Sequence, residues 1–333
     1  MTRHWTPDEL MEVARGFQLP AILTAAAELD VFTLLVDAPK TAEQLADTLT
    51  ADLRATRMLL DALAAAGLLV KNGQAYSPGP GTVDVLTAGA PQNMLAIVRH
   101  LGVCMRHWAQ LAMVVKTGQR ADRKPGVRGA VGELAAFIEA MNDVSRSAAP
   151  PLIEAIGPPP FRRLLDIGAG PATWTIEFLR QSGPETRAIV YDLHDVIPIA
   201  RRHVEAAGLA ARVDFVGGSF ETDRTLPGGV DLAWVSAIIH MNSRDQNRHL
   251  FGKVHAALVP GGRILIRDVV MDESRTVPRD GALFAVNMLV NTPGGGTYTF
   301  DEIAEDLAAS GFGPAEWVHQ HEFMSCVVGA TKP

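Results

Sequence analysis

The pattern of apolar and polar positions changes character near the middle of this 333-residue chain. Up to about residue 149, apolar residues recur at the spacing of amphipathic helices. Beyond a proline-rich stretch at 150–160, short β-rich runs alternate with helical segments. Such alternation predicts a mostly parallel sheet joined by right-handed crossovers. We therefore expect a helical N-terminal part and an α/β C-terminal part.

Short helices followed by a hairpin are predicted in the N-terminal part. Thr41 and Gln44 have the spacing of a capping box, which marks a helix start. A second helix is expected over 53–66. Asn72 and Gly73 then lie between two short apolar runs, which is a hairpin signal. The combination predicts a winged helix, a fold that serves either DNA binding or packing and dimerisation.

Composition narrows the classes of function. Hydrophobic residues make up 47% of the chain and charged residues 20%, and the net charge is −7. This acidic, globular balance disfavours a nucleic-acid partner. Cys104 and Cys326 form no CxxC or zinc-finger pattern, so we expect no metal and buried thiols in a reducing compartment. Since no apolar signal core or membrane span is evident, we expect a cytoplasmic protein without a membrane partner.

The C-terminal part has a regular series of strands. Strands are predicted at 163–167, 188–192, 213–216, 230–235, 263–268 and 322–328, with a capped helix from Thr299 to about Gly311. A glycine-rich turn, in which Asp166 precedes Gly168 and Gly170, follows the first strand directly. Glycines there let the main chain turn tightly and approach a ligand closely.

An acid at the end of the second strand completes this pattern. Asp192 stands where a carboxylate can accept both ribose hydroxyls of an adenosine. Asp166 favours S-adenosylmethionine over NAD, because a carboxylate can pair with the amino group of a methionine moiety but repels a pyrophosphate. The α/β unit also begins late, which leaves no separate C-terminal substrate domain. An NAD-dependent dehydrogenase is therefore the less favoured alternative.

These motifs resemble the small-molecule O-methyltransferases that include plant caffeate and isoflavone enzymes and many bacterial natural-product methyltransferases. The resemblance covers nearly the whole chain and is most specific at 165–170, 191–193, 216–220, 238–240 and 258–263. It implies a class I Rossmann-like methyltransferase domain, S-adenosyl-L-methionine as cofactor, and a homodimer formed through a winged-helix domain.

The resemblance also implies domain bounds and residue roles. The implied domains are a dimerisation domain at 1–95, a helical linker that contributes to the substrate pocket at 96–156, and a catalytic domain at 157–333. His240 would be the general base, with Asp268 in support. The cofactor-binding residues would be Asp166, Gly168, Gly170, Asp192, Leu193, Gly218, Ser219, Phe220 and Ser236.

The chain departs from the family pattern at several of these positions. Gly218 stands where an Asp is common, Ser236 where Lys is common, Met241 where Asp follows the histidine, and Thr297 where a second Glu falls. Asp268 is also shorter than the usual Glu. An acid contact to the adenine is therefore expected to be lost, or replaced by Ser219. The acid support around the base is thinner than usual.

The chemistry of methyl transfer is consistent with a histidine at position 240. A sulfonium methyl group is already activated, so the protein must align the acceptor and remove one proton. An imidazole exchanges protons near neutral pH. His240 follows the fourth strand, at the edge where open α/β sheets bind ligands. Asp268 ends another strand and could orient the ring. A purely structural His240 is the alternative.

Substrate contacts are predicted on two helices. Their candidates are Phe137, Met141 and Asn142 on one helix, and Asn287, Met288 and Asn291 on a helix over 282–291. The Phe/Met stripe could equally be core, and the amides could equally cap loops. His319 and His321 could share a strand face, but we expect a solvated edge rather than a metal site.

These inferences favour methyl transfer to a hydroxyl of a small, aromatic or polyketide-like molecule. C- or N-methylation on the same scaffold is a first alternative, and a neutral amine would suit the thinner acid support because it needs less help with proton removal. A second alternative is a non-catalytic winged-helix regulator or sensor that binds the cofactor without turnover.

Overall fold

The computed structural model describes residues 4–90, 92–157, 160–321 and 323–333. It divides into two compact units. One comprises the chain up to Arg106 together with Arg123–Asp143, and the other comprises His107–Asp122 and Val144–Pro333. The boundary prolines Pro158 and Pro159 lie outside the described residues. The assignment of residues 1–95 to a dimerisation domain, 96–156 to a helical linker and 157–333 to a catalytic domain stays a prediction.

The N-terminal unit begins with short helices and a small sheet. Its elements are α1 Pro7–Arg15, α2 Gln18–Glu28, α3 Val31–Leu34, β1 Lys40–Thr41, α4 Ala42–Leu49, α5 Leu53–Ala65, β2 Leu69–Asn72, β3 Ala75–Pro78 and α6 Thr82–Leu86. The described residues that follow form α7 Leu95–Trp108, α8 Leu111–Thr117, α9 Gly129–Ser145 and α10 Ala149–Ile156. The division between the units falls within α7 and α9.

The predicted winged-helix signals are confirmed in this unit. The Thr41 side chain accepts a hydrogen bond from the Gln44 amide, and α4 starts there. Strands β1, β3 and β2 form an antiparallel sheet in that order. Asn72 pairs with Ala75, so the hairpin turns at Gly73, whose φ is 61°. That left-handed conformation explains the glycine at this position.

The second unit contains the larger sheet. Its further elements are β4 Arg163–Ile167, α11 Thr173–Arg180, β5 Arg187–Asp192, α12 Ile197–Ala206, β6 Val213–Gly217, β7 Val230–Ser236, α13 Arg244–Ala257, β8 Leu258–Asp268, β9 Val270–Met271, α14 Arg279–Asn291, β10 Tyr298–Thr299, α15 Phe300–Ala309, β11 Glu316–His319 and β12 Cys326–Thr331. Thr299 and Glu302 form the predicted capping box at α15.

The large sheet is mostly parallel, as predicted. Its strand order is β11-β12-β8-β7-β4-β5-β6. Strands β4 to β8 run parallel, and only β11 and β12 join through antiparallel pairs. The central strands are mostly apolar because both faces of the sheet are covered. Successive residues, such as Leu164 and Leu165 of β4, pack into two different core clusters, one on each face of the sheet.

Two predicted strands differ from the structure by more than one residue in their bounds. Strand β8 begins at Leu258 rather than at residue 263. The final strand was predicted over 322–328, but it begins at Cys326 and continues to Thr331, because Phe323–Ser325 forms a 3₁₀ turn. Glu322 lies outside the described residues. None of the described helices has the length and apolarity needed to cross a membrane.

Candidate active site

The glycine loop after β4 is held by main-chain hydrogen bonds at the carboxyl edge of the sheet. The Gly168 amide donates to the Tyr191 carbonyl over 2.8 Å. The Gly170 amide donates to Oδ2 of Asp192 over 2.7 Å. Both glycines have positive φ, 66° and 55°. A Cβ on Gly168 would also collide with the Ile238 side chain, so the loop requires glycine for conformation and for space.

Asp192 joins the glycine loop to the end of β5. Its Oδ1 accepts the Leu193 amide over 2.7 Å while its Oδ2 accepts Gly170. Each carboxylate oxygen has a second lone pair, so two further donors can bind. Burial raises the pKa of Asp192 above its usual range. Leu193 is 50% exposed beside it.

Asp166 lies beneath the glycine loop. Its carboxyl is 1% exposed, and the Thr175 hydroxyl of α11 donates to its Oδ2 over 2.6 Å. Burial raises the pKa of Asp166 to about 7, and the nearby charge of Asp192 adds to the shift. A carboxyl with this pKa is poised to ionise when a cation binds near it. The aspartate of the glycine-loop motif, Asp166, is therefore a buried acid whose charge can change when a ligand binds.

The loop after β6 shows why position 218 carries no side chain. The Asp223 carboxylate and the edge of the Tyr191 ring occupy the space that a Cβ on Gly218 would need. Oδ2 of Asp223 accepts the Tyr191 hydroxyl over 2.8 Å and the Ser219 amide over 3.2 Å. An acid is therefore present at Gly218, although it comes from five residues later in the chain. Sequence reasoning missed Asp223.

Ser236 and Phe220 are fixed by basic side chains. Nη1 of Arg267 donates to the Ser236 hydroxyl over 3.1 Å. The Lys253 ammonium donates to the Phe220 carbonyl over 2.7 Å. Where the family commonly has Lys, this chain thus has a serine in contact with an arginine from the neighbouring strand. The signal for Arg267 was a charge inside an otherwise apolar strand, and it was not used.

His240 and Asp268 form a buried pair. The histidine lies in a 3₁₀ turn, Ile239–Met241, after β7, and Asp268 ends β8. Nδ1 of His240 donates to Oδ1 of Asp268 over 2.8 Å. The two residues are 6% and 1% exposed. With the proton on Nδ1 held by a carboxylate, Nε2 is the ring nitrogen that has a free lone pair.

The main chain around this pair is also fixed. The Val269 amide donates to Oδ1 of Asp268 over 2.8 Å, and the Gly296 amide donates to the His240 carbonyl over 2.9 Å. The Tyr298 hydroxyl donates to the Asn242 carbonyl. These bonds hold the 3₁₀ turn from both sides. Such constraints orient an imidazole before a substrate arrives.

Aromatic rings adjoin the histidine. The Phe284 ring of α14 meets the His240 ring edge-on, with centroids 4.8 Å apart, and the Phe323 ring lies 5.7 Å from Phe284. The predicted residue Met288 is on the same helix and is buried. Sequence reasoning selected neither Phe284, one turn before Asn287 and Met288 on the same helix, nor Phe323, which gave no signal. Together they form an apolar wall at the imidazole.

The predicted amides of α14 have partners within the second unit. The Trp108 indole donates to Oδ1 of Asn287 over 2.8 Å. Nδ1 of His107 is 2.5 Å from Oδ1 of Asn291, and the Asn291 amide donates back to Asn287. The amides thus hold the end of α7 against α14. Their role in substrate binding stays a prediction.

The other predicted positions have the following places. Phe137, Met141 and Asn142 lie on α9 in the N-terminal unit, where the Phe137 ring is 5.0 Å from the His100 ring. Their role at the substrate also stays a prediction. Met241, in place of the family acid, packs against the core. Thr297 is buried. Within the described residues no group of three His, Cys, Asp or Glu side chains could hold a metal.

Comparison with protein families agrees with this geometry. The family model described as O-methyltransferase domain matches residues 129–313, and the one described as O-methyltransferase dimerisation domain matches residues 11–81. The chain belongs to the O-methyltransferase family. It is therefore an S-adenosylmethionine-dependent methyltransferase, and the predicted family, fold class and cofactor are confirmed.

Individual relatives agree over nearly the full length of the chain. The tetracenomycin polyketide synthesis 8-O-methyl transferase of Streptomyces glaucescens is 29% identical, over 92% of this chain and 91% of that protein. The 3-hydroxy-5-methyl-1-naphthoate 3-O-methyltransferase of Streptomyces sahachiroi is 30% identical, over 92% and 89%. The solved structure of human N-acetylserotonin methyltransferase in complex with S-adenosylmethionine superposes with a TM-score of 0.78 at 25% identity, over 100% and 99%.

The described site fits this cofactor. The Gly168 turn leaves no room for a side chain, Asp192 has lone pairs for two hydroxyl donors, and the buried acid Asp166 suits a cationic amino group. Arg267 adds a buried cation on the same face of the sheet as Asp166. These charges match a zwitterionic methionine moiety linked to an adenosine.

Proposed function

We propose that this O-methyltransferase methylates a hydroxyl of a small aromatic molecule of the polyketide or naphthoate type, with His240 as the general base. The observation that carries the proposal is the His240–Asp268 hydrogen bond, buried at the carboxyl edge of the sheet beside Phe284. The Asp268 carboxylate alone keeps the proton of the imidazole on Nδ1, so no second acid is needed to fix the tautomer of His240.

In this mechanism, bound S-adenosylmethionine supplies a methyl group that is already activated for transfer. Asp268 keeps the proton on Nδ1 of His240, so Nε2 accepts the proton of the substrate hydroxyl as the oxygen attacks. The imidazolium that forms is stabilised by the Asp268 carboxylate. The thinner acid support is sufficient, because one well-placed acid both orients and stabilises the ring.

An aromatic substrate is favoured by the walls around the imidazole. The Phe284 and Phe323 rings offer apolar faces and edges on which another ring can pack. Two relatives with nearly full-length matches bear names that specify polyketide and naphthoate substrates. Both arguments point to a planar phenol rather than to an aliphatic alcohol.

The cofactor roles follow the charges of the described side chains. We propose that Asp192 accepts the ribose hydroxyls, that Leu193 and Phe220 flank the adenine, and that Asp223 supplies the acid for the adenine amino group. Asp223 is suited to this because it already lies at the Gly218 turn, next to the end of β6. The ends of β5 and β6 adjoin in the sheet, which supports neighbouring sites for ribose and adenine.

A homodimer is proposed through the N-terminal unit. Helix α1 has no buried residue, although Leu10, Met11 and Val13 are apolar. Together with the match to the dimerisation domain, this exposed apolar face suits a second copy of the chain. Light scattering is expected to give twice the chain mass of 35.7 kDa.

Methyl transfer from isotopically labelled S-adenosylmethionine to a panel of naphthols, hydroxynaphthoates and the matched arylamines tests the proposal. Methyl ethers as products would support it. Methylation at nitrogen or carbon would overturn the hydroxyl assignment. Binding of S-adenosylhomocysteine in a calorimeter without any turnover would indicate a sensor instead, and NAD serves as the control ligand.

A further inference from the structure

We propose that Arg267 binds the carboxylate of the methionine moiety of the cofactor. The inference rests on S-adenosylmethionine occupying the glycine-loop site, and it deepens that assignment by naming a residue that sequence reasoning did not select.

The register of the sheet places Arg267 close to the glycine loop. Ile167 pairs with Val235, so Ser236 is level with Gly168, and Ser236 in turn pairs with Arg267. Successive strand residues point to opposite faces. Arg267 therefore faces the side of the sheet that α11 covers, while Asp268 faces His240 on the other side.

Trp174 sets the direction of the Arg267 guanidinium. The Cζ atom of Arg267 lies 4.4 Å from the centroid of the Trp174 ring. Trp174 belongs to the first turn of α11, only four residues after Gly170. The long side chain thus leans from β8 towards the helix that starts at the glycine loop. Stacking on an indole face holds a guanidinium in a fixed plane.

The guanidinium of Arg267 forms no ion pair among the described residues; the Asp268 carboxylate, which bonds to His240, acts on its charge only at a distance. The residue is 7% exposed. Nε has no hydrogen-bond acceptor, and Nη1 bonds only to a serine hydroxyl. Burial lowers the pKa of Arg267 to about 10. A buried cation is costly without an anion, so the site is built to receive one.

The methionine moiety supplies such an anion. It is a zwitterion, so a site that fits it needs one negative and one positive group. Asp166 and Arg267 are both on the α11 face of the sheet and carry these two charges. A guanidinium with free N–H groups can bind a carboxylate through two parallel hydrogen bonds.

Ligands that differ only in the carboxylate test this inference. S-Adenosylhomocysteine and its decarboxylated analogue would be titrated into the wild type, Arg267→Gln and Arg267→Lys. We expect Arg267→Gln to weaken binding of S-adenosylhomocysteine about 10- to 100-fold and to change binding of the decarboxylated analogue less than about twofold. Arg267→Lys should fall between, because it keeps the charge but loses the paired geometry.

A matched control is available on the same strand. Arg263→Gln removes an arginine of β8 that pairs with Glu316, and it should change neither affinity. Equal losses for both ligands in Arg267→Gln would mean that Arg267 only supports the fold, and no loss for either would also overturn the inference. If the wild type bound neither ligand, the cofactor assignment itself would fail, which is a distinguishable result.

Discussion

The two halves of the site are built in different ways. At the ends of β4 to β6, the cofactor half is made largely of main chain: the Gly168, Gly170 and Leu193 amides hold the turn and Asp192. At the ends of β7 and β8, the catalytic half is made of side chains: His240 meets Asp268 and Phe284. The turn of the cofactor half therefore depends on backbone conformation, whereas the catalytic half depends on the two side chains that form its buried hydrogen bond.

The largest effect is expected on the catalytic half. His240→Ala should lower the methyl-transfer rate about 10²- to 10⁴-fold, because it removes the base. Binding of S-adenosylhomocysteine should change less than about twofold, since free energy lost only in the transition state does not alter ground-state binding. Quenched-flow assays and calorimetry measure the two quantities.

His249→Ala serves as the control for this variant. His249 is exposed on α13, where its ring bonds only to the Asp245 carbonyl, so both rate and affinity should match the wild type. If His240→Ala weakened cofactor binding as strongly as it slowed transfer, the division of the site into two independent halves would be wrong.

Stability of the cofactor half should depend on backbone conformation. Gly168→Ala should lower the free energy of unfolding by about 2–4 kcal/mol, since a left-handed φ and a collision with Cδ1 of Ile238 add together. Gly170→Ala, with φ also positive but no atom within 4 Å of the new Cβ, should lose only about 1–2 kcal/mol. Urea unfolding measures both.

Ile238→Val sharpens this test, because it deletes the one methyl group that the new Cβ would meet. The double variant Gly168→Ala with Ile238→Val should be more stable than the sum of the two single losses predicts. Strict additivity would show that the collision does not contribute and that φ alone requires the glycine.

Cofactor affinity should depend on pH through Asp166. Burial raises its pKa to about 7, so the carboxyl is mostly neutral below that pH and attracts the cofactor ammonium only above it. Affinity for S-adenosylhomocysteine should therefore fall about eightfold from pH 7.5 to pH 6. Asp166→Asn should bind more weakly and show a flat profile over this range. An unchanged slope in the variant would assign the titration to another group.

A further effect is expected at the adenine. Asp223→Asn should weaken binding of S-adenosylhomocysteine about five- to tenfold but should leave binding of S-inosylhomocysteine unchanged or tighter. Adenine has an amino group that donates a hydrogen bond to the carboxylate, whereas hypoxanthine has a carbonyl there, to which an Asn amide can donate. Glu221→Gln, an exposed acid of the same loop, is the control. Equal losses for both ligands would place Asp223 in a structural role through Tyr191 and Ser219.

Local patterns in the sequence predicted the elements that depend on local chemistry. The capping boxes at Thr41 and Thr299, the hairpin at Gly73 and the glycine turn after β4 all appear as expected. Each of these is fixed by residues a few positions apart, or by a backbone conformation that only glycine adopts easily. The parallel sheet followed from the alternation of strands and helices.

Side chains that meet across strands were not predictable in this way. Arg267 donates to Ser236, where the family commonly has Lys, and Asp223 lies against Gly218, where the family commonly has Asp. In both cases the charged side chain comes from a residue that is distant from that position in the sequence but close to it in the fold. Phe323 reaches Phe284, and so joins the apolar wall at the imidazole, because the chain forms a 3₁₀ turn before the last strand. Strand register and turn geometry determine such contacts, and neither can be predicted from a single local motif.

The central claim is that His240 removes the proton of the acceptor hydroxyl. Its most direct test is the ratio of wild-type to His240→Ala transfer rates across a series of substituted phenols of decreasing pKa. The ratio should fall from about 10³ for a phenol with a pKa near ~10 towards about 10 for one already ionised at the assay pH. A ratio that stays constant along the series would contradict a base at His240.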